Sequence, residues 1–208
     1  MTQTPTKRKS VFREYAEAIL VALVLAFFIR TFIVQAFKIP SGSMKSTLLI
    51  GDHILVNKFS YGVKNPFNGS ILIPIGQPAA SDVIVFEYPV DPSKDFIKRV
   101  VGVPGNKIEI KDKKVFVDDH PLDDDEYARH VDPKIFPKGM QPRDNFGPII
   151  VPADSLFVMG DNRDESYDSR FWGFVNLKAV KGKAFILYWS WDSPNFSVRW
   201  KRLGNLIH

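Results

Sequence analysis

KIPSGSMKSTLLIGDHILVNKF, residues 38–59, places a Pro-Ser-Gly-Ser turn between a long apolar run and a strand-like segment. Gly42 permits a tight turn with close approach of another chain, and Pro40 keeps Ile39 extended. A serine hydroxyl becomes an effective nucleophile only when a base removes its proton and hydrogen-bond donors await the oxyanion. Alone, Ser41 and Ser43 are typical of an ordinary loop, so a site needs a base from elsewhere in the chain.

The apolar run before this turn, AEAILVALVLAFFIRTFIVQAF at residues 16–37, predicts a membrane anchor. As a helix it would be about 33 Å long at about 1.5 Å per residue, which is enough to cross a bilayer. Basic residues before the run predict a cytoplasmic N-terminus and an extracytoplasmic remainder, in a single-pass protein of the inner or cytoplasmic membrane; they are Lys7, Arg8, Lys9 and Arg13. A removable signal peptide ending at VQA, residues 34–36, and a buried core helix are the alternatives.

Composition indicates a globular chain with no cysteine chemistry. The 208 residues are 45% hydrophobic and 25% charged, without any cysteine, so disulfides and thiolate sites are excluded. The net charge of +5 suits either nucleic acid or an anionic membrane surface. Nucleic acid is the weaker reading, because basic residues beyond the tail are interspersed with acidic ones. The histidines show no metal-ligand spacing; they are His53, His120, His130 and His208.

Beyond residue 38 the pattern predicts a mainly β fold without long amphipathic helices. The expected strand runs are HILVNKF, DVIVFEY, FIKRVVGV, KIEIKDKKVFVDD, SLFVMGD, GFVNLKAVKGKAFILYW and SVRW. KDKKVFVDDHPL is typical of a hairpin with a polar turn, and the polar, Pro-rich stretch from 118 to 148 suits an insertion. The expected organisation is a basic tail (1–14), an anchor (15–37), a catalytic β core (38–110 and 149–208) and an inserted β subdomain or flap (111–148).

The best candidate for the base is Lys98 in DFIKRVVGVPGN. The strand period of two puts Phe96, Lys98 and Val100 on one face, where desolvation disfavours an ammonium. To act as a base near neutral pH, the lysine pKa must fall roughly 2–3 units below about 10.4. Arg99 cannot lose its proton. A lysine that snorkels from the strand is the alternative. His53 is interpreted as a surface histidine, and Lys45, two residues from Ser43, lacks the Ser-x-x-Lys spacing of penicillin-recognising enzymes.

A third stretch, GDNRDESYDSRFWGFV at residues 160–175, interleaves carboxylates, guanidiniums and serines. Such a loop is often a solvated bend. Its charged groups can also brace one another, and Ser166 or Ser169 can hydrogen-bond a neutral lysine, which is the support that a precise site needs.

Together the three stretches resemble the type I signal peptidase (leader peptidase) family, which consists of membrane-anchored Ser-Lys proteases. IPSGSMKSTLLIGDHILVNKFSYG resembles the serine box, DFIKRVVGVPGN the lysine box and GDNRDESYDSRFWGFV the C-terminal Gly-Asp-Asn-Arg box. Their order and the preceding anchor also match, and the resemblance covers residues 15–110 and 150–190. It implies a signal-peptidase-like coiled β-sheet and no metal or organic cofactor.

The resemblance also implies roles for individual residues. Ser43 would be the nucleophile and Lys98 the general base, while Ser41 and the Ser43 N–H would bind the oxyanion. Ser166 would orient the lysine, and the supporting polar residues would be Asp161, Asp168 and Arg170. Shallow pockets for small side chains at positions −1 and −3 would be lined by Ile39, Pro40, Met44, Leu48, Ile54, Val85, Asp95, Phe96 and Ile97.

Three departures from the family accompany this resemblance. Ser46 stands where the family usually has proline, which we expect to loosen the turn after the nucleophile. Glu165 stands where the family often has asparagine, and we expect its side chain to point outward. The chain is also short, with one recognisable anchor where some members have two.

The leading hypothesis is a membrane-bound serine endopeptidase that removes signal peptides from exported preproteins after Ala-x-Ala. Its partners would be preprotein signal peptides and membrane lipids, and the extended substrate would pair with edge strands near Val85 and Asp95. A non-catalytic, membrane-tethered β-domain that binds exported chains is the alternative. Self-cleaving repressors with Ser-Lys chemistry fit less well, because they lack an anchor and cut at Ala-Gly or Cys-Gly, dipeptides that this chain lacks.

Overall fold

The computed structural model describes residues 11–64 and 71–208 and shows a mainly β protein preceded by one helix. Helix α1 spans Val11–Phe28, and a wider helical turn continues it over Ile29–Ile33. The strands are β1 (Val34–Lys38), β2 (Asp52–Asn57), β3 (Val63–Lys64), β4 (Ile71–Ile73), β5 (Val83–Tyr88), β6 (Asp91–Gly102), β7 (Lys107–Lys111), β8 (Lys114–Val117), β9 (His120–Pro121), β10 (Phe146–Ile150), β11 (Ser155–Met159), β12 (Val175–Asn176), β13 (Val180–Asp192) and β14 (Ser197–Val198). Helix α2, Ser169–Trp172, is a single turn.

The N-terminal helical stretch begins and ends earlier than the sequence predicts. The prediction of helix up to residue 37 is wrong for its last residues, because Val34–Lys38 form β1 and pair antiparallel with β2. Pairing with β2 satisfies backbone groups that the helix would otherwise satisfy, and tertiary context decides between the two. Within the described residues, no helix combines the length and the apolar character needed to cross a membrane. Residues 1–10 of the expected basic tail lie outside the described residues.

The main sheet has the strand order β1-β2-β13-β5-β6-β11-β12, with β14 paired to β13. Long strand β13 pairs antiparallel with both β2 and β5 and so joins the two halves of the sheet. Gly182 permits the close approach to β2, because a β-carbon there would lie 2.4 Å from the Asn57 carbonyl oxygen. The predicted strand runs all contain strands, and those on β5 and β6 pair in register from Val83 opposite Arg99 to Glu87 opposite Asp95.

Strand β5 is buried on both faces and separates two parts of the core. Val83 and Val85 join one apolar cluster, completed by Ile39, Met44, Leu48, Ile54, Val56, Ala184, Leu187 and Ile207. Ile84 and Phe86 join a second cluster on the other face, with Tyr61, Val100, Leu156, Val158, Val175 and Val180. The first cluster therefore ties the serine-bearing turn to the sheet.

A second, smaller sheet with the order β10-β7-β8-β9 is formed by the chain between β6 and β11 of the main sheet. It begins at Lys107, so it takes in β7, which the sequence analysis assigned to the core at 38–110. The predicted hairpin is confirmed as β7–β8, whose turn residues Asp112 and Lys113 both have positive φ, 48° and 73°. Such a turn matches the twist of a two-residue hairpin.

Truncation of Leu48 tests the contribution of the first cluster. Leu48→Ala should lower the free energy of unfolding by about 2–5 kcal/mol, because its fully buried side chain would leave a cavity under the serine turn. Leu72→Ala is the matched control, since Leu72 is 58% exposed, and it should change stability by less than about 0.5 kcal/mol. Urea unfolding of the detergent-purified protein measures both values; equal effects would show that the cluster does not anchor the turn.

Candidate active site

Ser43 lies in the turn between β1 and β2, residues 39–51, which we call the serine turn. Backbone hydrogen bonds close its base, from Ile39 N–H to the Asp52 carbonyl (2.8 Å) and from Gly51 N–H to the Ile39 carbonyl (3.1 Å). Met44 and Leu48 point into the first apolar cluster and have no exposed surface. These apolar anchors fix the direction of the turn and leave the Ser43 side chain facing the neighbouring strand β6.

Lys98 reaches Ser43 from strand β6. Its Nζ donates a hydrogen bond of 2.6 Å to Ser43 Oγ, and its side chain is buried, with 4% of the residue exposed. The ammonium nitrogen also lies 5.6 Å from the centroid of the Phe96 ring. No carboxylate oxygen lies within 4.0 Å of Nζ in the described part of the chain. The lysine therefore contacts the serine hydroxyl without being fixed in an ion pair.

Burial lowers the affinity of the Lys98 amine for a proton. Desolvation lowers the pKa of Lys98 from 10.5 to about 8, with Arg170 acting in the same direction and Asp168 and Asp161 opposing it. At pH 7, a pKa of about 8 leaves roughly one molecule in ten with a neutral amine. A neutral amine beside a serine hydroxyl is able to accept its proton.

The two carboxylates that oppose this effect are each neutralised by their own arginine. Asp161 accepts hydrogen bonds from Nε and Nη2 of Arg99, both at 2.8 Å, and from the Thr47 hydroxyl at 2.5 Å. Asp168 receives the same two-pronged contact from Arg170, both at 2.8 Å. Such forked pairs are strong, directional contacts. Because each carboxylate is matched, neither holds Lys98 in its charged form as strongly as a free carboxylate would.

The carboxylate of Asp168 is itself held charged. Burial alone would raise the pKa of Asp168, but the charge and hydrogen bonds of Arg170, together with the Gly160 N–H, outweigh it and lower the pKa. Arg170 also donates to the carbonyls of Arg143 (2.8 Å) and Arg163 (2.6 Å). We call residues 160–170 the acidic loop. Arg170 therefore joins this loop to the chain around Arg143, shortly before β10 of the second sheet.

Asn162 is a site residue that the sequence reasoning missed. Its N–H donates to the Ser43 carbonyl (3.0 Å), and its side-chain Nδ2 donates to the Gly42 carbonyl (3.1 Å). The same Nδ2 donates to Glu165 Oε2 at 2.7 Å, and the Glu165 side chain is exposed, as expected. The only sequence signal was its place between Asp161 and Arg163 in the Gly-Asp-Asn-Arg stretch.

Ser166 lies beside the serine turn but is not hydrogen-bonded to Lys98. A β-carbon at Gly160 would lie 2.3 Å from Ser166 Oγ and 2.4 Å from the Ser43 carbonyl oxygen, so these groups crowd the same glycine. Among residues 11–64 and 71–208, the buried Ser166 Oγ has no partner of ordinary hydrogen-bond geometry. It lies close enough to Asp168 to favour the charged form of that carboxylate.

Neither of the two expected oxyanion donors has a hydrogen-bond partner in the described part of the chain. The Ser41 side chain is exposed, and neither its hydroxyl nor the Ser43 N–H makes a hydrogen bond within the described residues. Donors without internal partners are available to a substrate oxygen.

The residues expected to line the pockets divide into two groups. Ile39, Met44, Leu48, Ile54 and Val85 lie in the first apolar cluster, and Ile97 packs against it. Three do not join them: Pro40 is exposed, Asp95 forms an ion pair with Lys181 at 2.7 Å, and Phe96 stacks on Tyr88 at 4.2 Å between ring centroids.

The expectation that Val85 lies at a sheet edge is wrong. Val85 pairs with Ile97 on β6 and with Gly182 on β13, so both sides of its strand are occupied. The edge near Asp95 is different, because β11 pairs with β6 only from Arg99 to Gly102. Among the described residues, the part of β6 that carries Asp95–Lys98 has a strand partner on one side only.

Ser46, which stands in the serine turn where the family usually has proline, contacts the inserted segment. Its backbone φ is 132°, a value that proline, fixed near −65°, cannot adopt. A residue with a β-carbon in this region carries strain of order 1–3 kcal/mol. The Ser46 hydroxyl donates to the Tyr127 carbonyl at 2.6 Å, which fastens the turn to the inserted segment.

One cavity of about 460 Å³ lies near the serine turn but does not contain the candidate pair. Its lining includes Thr47, Arg99, Tyr127, Arg202 and His208, and neither Ser43 nor Lys98. In the described part of the chain, no cluster of three or more His, Asp or Glu side chains is arranged to hold a metal ion.

Comparison with known proteins identifies the family. Residues 12–189 match the family described as signal peptidase, peptidase S26. Signal peptidase I of Pseudomonas aeruginosa is 38% identical, with 94% of this chain and 79% of the relative covered. Signal peptidase I of Pseudomonas fluorescens is 36% identical, with 88% of this chain and 75% of the relative covered.

A crystal structure of a signal peptidase I from Enterococcus faecalis V583 is also similar, at 30% sequence identity. It covers 52% of this chain and 97% of that one, with a TM-score of 0.43. The family match extends over most of the chain and includes the serine turn, β6 and the acidic loop. The chain therefore belongs to the signal peptidase family, peptidase S26.

Proposed function

We propose that this chain is a membrane-anchored serine endopeptidase that removes N-terminal signal peptides from exported preproteins after small residues of the Ala-x-Ala type. The observation that carries the proposal is the 2.6 Å contact between Lys98 Nζ and Ser43 Oγ, made by a buried lysine whose pKa is lowered to about 8. Family membership supports the same reaction class. The names of the Pseudomonas relatives support the processing of signal peptides.

The reaction would proceed through an acyl-enzyme. Neutral Lys98 takes the proton of Ser43 as Oγ attacks the scissile carbonyl carbon and forms the tetrahedral intermediate. The Ser43 N–H and the Ser41 hydroxyl donate to the oxyanion. Lys98 then gives its proton to the leaving amine, the C–N bond breaks, and water attacks the ester with Lys98 again as base. No metal or organic cofactor takes part in these steps.

The supporting residues would keep the two reacting groups in register. Asp161 and Asp168 are held by Arg99 and Arg170, and these ion pairs would fix the acidic loop where it meets the serine turn. Ser166 Oγ is buried, is crowded against Gly160 next to the Ser43 carbonyl and has no hydrogen-bond partner of ordinary geometry among the described residues, and its hydroxyl would orient the lysine.

An extended substrate would bind along the part of β6 that has a strand partner on one side only. The backbone of Asp95–Lys98 faces no second strand among the described residues, which suits addition of a substrate strand. Ile97 is partly buried and would provide an apolar contact near the reacting bond, while Met44 and Leu48, which have no exposed surface, would support the serine turn beneath it. Because the first apolar cluster is already closely packed, only small side chains would fit against it.

Although α1 alone lacks the length and apolar character to cross a membrane, α1 and the helical turn that continues it to Ile33 would together anchor the enzyme in the cell membrane. None of the α1 residues Val11–Phe28 is buried, and Ile19, Leu23 and Phe27 are 59%, 63% and 71% exposed. Such an array of exposed apolar side chains is unfavourable in water, by roughly 25 cal/mol per Å² of apolar surface. Lipid contact would remove this cost, with the basic N-terminus cytoplasmic and the β domain outside.

Anchoring would also explain why the serine turn follows β1 so closely. The chain passes from α1 through β1 directly into the turn that carries Ser43. Signal peptides occupy the same bilayer, so enzyme and cleavage site would share a thin layer at its outer surface. Confinement of this kind raises the effective concentration without new contacts.

Removal of either candidate reacting group should abolish cleavage. Ser43→Ala and Lys98→Met should each lower kcat/KM for an Ala-x-Ala preprotein by at least about 10³-fold, since nucleophile and base act as a unit. Lys45→Met is the control, because Lys45 is an exposed lysine on the same turn, and it should retain activity within about threefold.

Cleavage is measured with purified full-length protein in detergent, and acylation by a serine-directed penem is followed by intact mass. Full activity in both Ser43→Ala and Lys98→Met would defeat the proposed mechanism. A wild-type protein that neither cleaves nor becomes acylated would favour the non-catalytic, membrane-tethered binding domain.

The pH dependence should report the state of Lys98. Because the base must be neutral, kcat/KM should rise tenfold per pH unit below pH 8 and level off above an apparent pKa of about 8. A pH–rate profile from pH 6 to 10 measures this, with protein integrity checked at each pH. A midpoint above pH 10 would mean that burial does not lower the lysine pKa, and the dyad would lose its base near neutral pH.

A further inference from the structure

A short segment of the inserted region, residues 124–129, lies against the candidate site, and we call it the clamp segment. Its first contact is with the serine turn, where the Ser46 hydroxyl donates to the Tyr127 carbonyl at 2.6 Å. Internal hydrogen bonds to the Asp124 carbonyl, from the N–H groups of Tyr127 (3.1 Å) and Ala128 (2.7 Å), give the segment a defined turn. The carbonyl that receives Ser46 is therefore held in place.

The second contact is with the backbone of the acidic loop. Arg129 N–H donates to the Asp161 carbonyl at 2.7 Å, and Arg163 N–H donates to the Arg129 carbonyl at 2.9 Å. An ion pair joins the buried Arg163 guanidinium to Asp124 at 2.6 Å. The clamp segment thus holds the main chain on both sides of Asn162.

The third contact covers Arg99. The Tyr127 ring lies over the guanidinium, with Arg99 Cζ 3.9 Å from the ring centroid. That guanidinium holds Asp161 through two hydrogen bonds, so the ring shields this pair from water. Cation–π contacts of this kind strengthen when they are desolvated.

All three contacts affect the distance between Ser43 Oγ and Lys98 Nζ. Asn162 binds the Gly42 and Ser43 carbonyls, and Ser46 follows Ser43 closely, so the clamp segment restrains the serine turn on both sides of the reacting serine. A displacement of about 1 Å at a reacting pair is enough to lower a rate strongly. We infer that residues 124–129 are a positioning element that keeps Ser43 Oγ within hydrogen-bond distance of Lys98 Nζ, an inference that rests on the proposed peptidase function.

The test compares variants of the clamp segment with a matched control. Tyr127→Leu removes the ring over Arg99, Tyr127→Phe keeps it, and Ser46→Ala removes the tie from the serine turn. Asp125→Asn is the control, because this exposed residue of the same segment makes no side-chain hydrogen bond or ion pair within the described residues. For each full-length protein, kcat and KM are measured on an Ala-x-Ala preprotein, and kcat is divided by the fraction of molecules that a serine-directed penem acylates.

If the clamp segment no longer holds Ser43 Oγ next to Lys98 Nζ, kcat per acylatable site should fall. We expect about a tenfold decrease for Tyr127→Leu and about threefold or more for Ser46→Ala, with KM changed less than about twofold. Tyr127→Phe should recover most of the wild-type kcat, and Asp125→Asn should match wild type. Equal kcat per acylatable site in all four variants would overturn the inference. The fraction is taken at the end point of the penem reaction, where slower acylation no longer lowers it. A decrease only in this end-point fraction would also overturn the inference, since that result reports folding.

Hydrogen exchange separates this inference from the proposed function. In Tyr127→Leu and Ser46→Ala, the Lys45 and Leu48 amides, which donate within the serine turn, should exchange faster than in Asp125→Asn. Unchanged exchange would overturn the positioning role even in a protein that cleaves nothing. Absence of both cleavage and acylation in wild type would instead defeat the proposed function and leave the exchange result to decide the structural claim.

Discussion

A lysine amine enclosed by the protein and in contact with one serine hydroxyl is the interaction on which the rest of the site depends. Burial lowers the pKa of Lys98 to about 8, whereas an unfolded chain would have the ordinary value near 10.5. Folding therefore becomes more favourable as the pH rises from about 8 to 10.5, and protonated Lys98 costs about 3 kcal/mol of stability below that window. This cost is consistent with a group retained for chemistry at the expense of stability.

Two consecutive basic residues of strand β6 have different partners and different roles. Lys98 contacts Ser43, while the next residue, Arg99, binds Asp161, Thr47 and the carbonyls of Ser81 and His208. Alternation along the strand sends consecutive side chains to opposite faces. An arginine stays charged and brings a forked donor, whereas a lysine loses its proton when buried, so an exchange of the two residues would remove both functions.

Much of this arrangement follows from local sequence. The β-branched runs predict the strands, and the period of two along Phe96, Lys98 and Val100 indicates a lysine on an apolar face. Other features depend on contacts between distant segments, which no local pattern contains. The strand at Val34–Lys38 forms because β2 offers backbone partners, and Asn162 acts through its amide on carbonyls of the serine turn.

The contacts of the inserted region with the site could not be predicted from local sequence either. Nothing in the composition of residues 118–148 indicates that Tyr127 would receive the Ser46 hydroxyl and cover Arg99. The positive φ of Ser46 could not be read from a turn in which proline was the expected residue. Both features arise when the insertion folds back on the site.

The most direct measurement is the pKa of the Lys98 amine itself, followed by the ¹³Cε chemical shift of labelled lysine in full-length Ser43→Ala protein. Lys98→Met assigns the resonance, and exposed lysines in the same spectrum provide the reference. The account predicts a Lys98 titration centred near pH 8, below the other lysines by about two units. A Lys98 titration near 10.5, together with those of the exposed lysines, would contradict it.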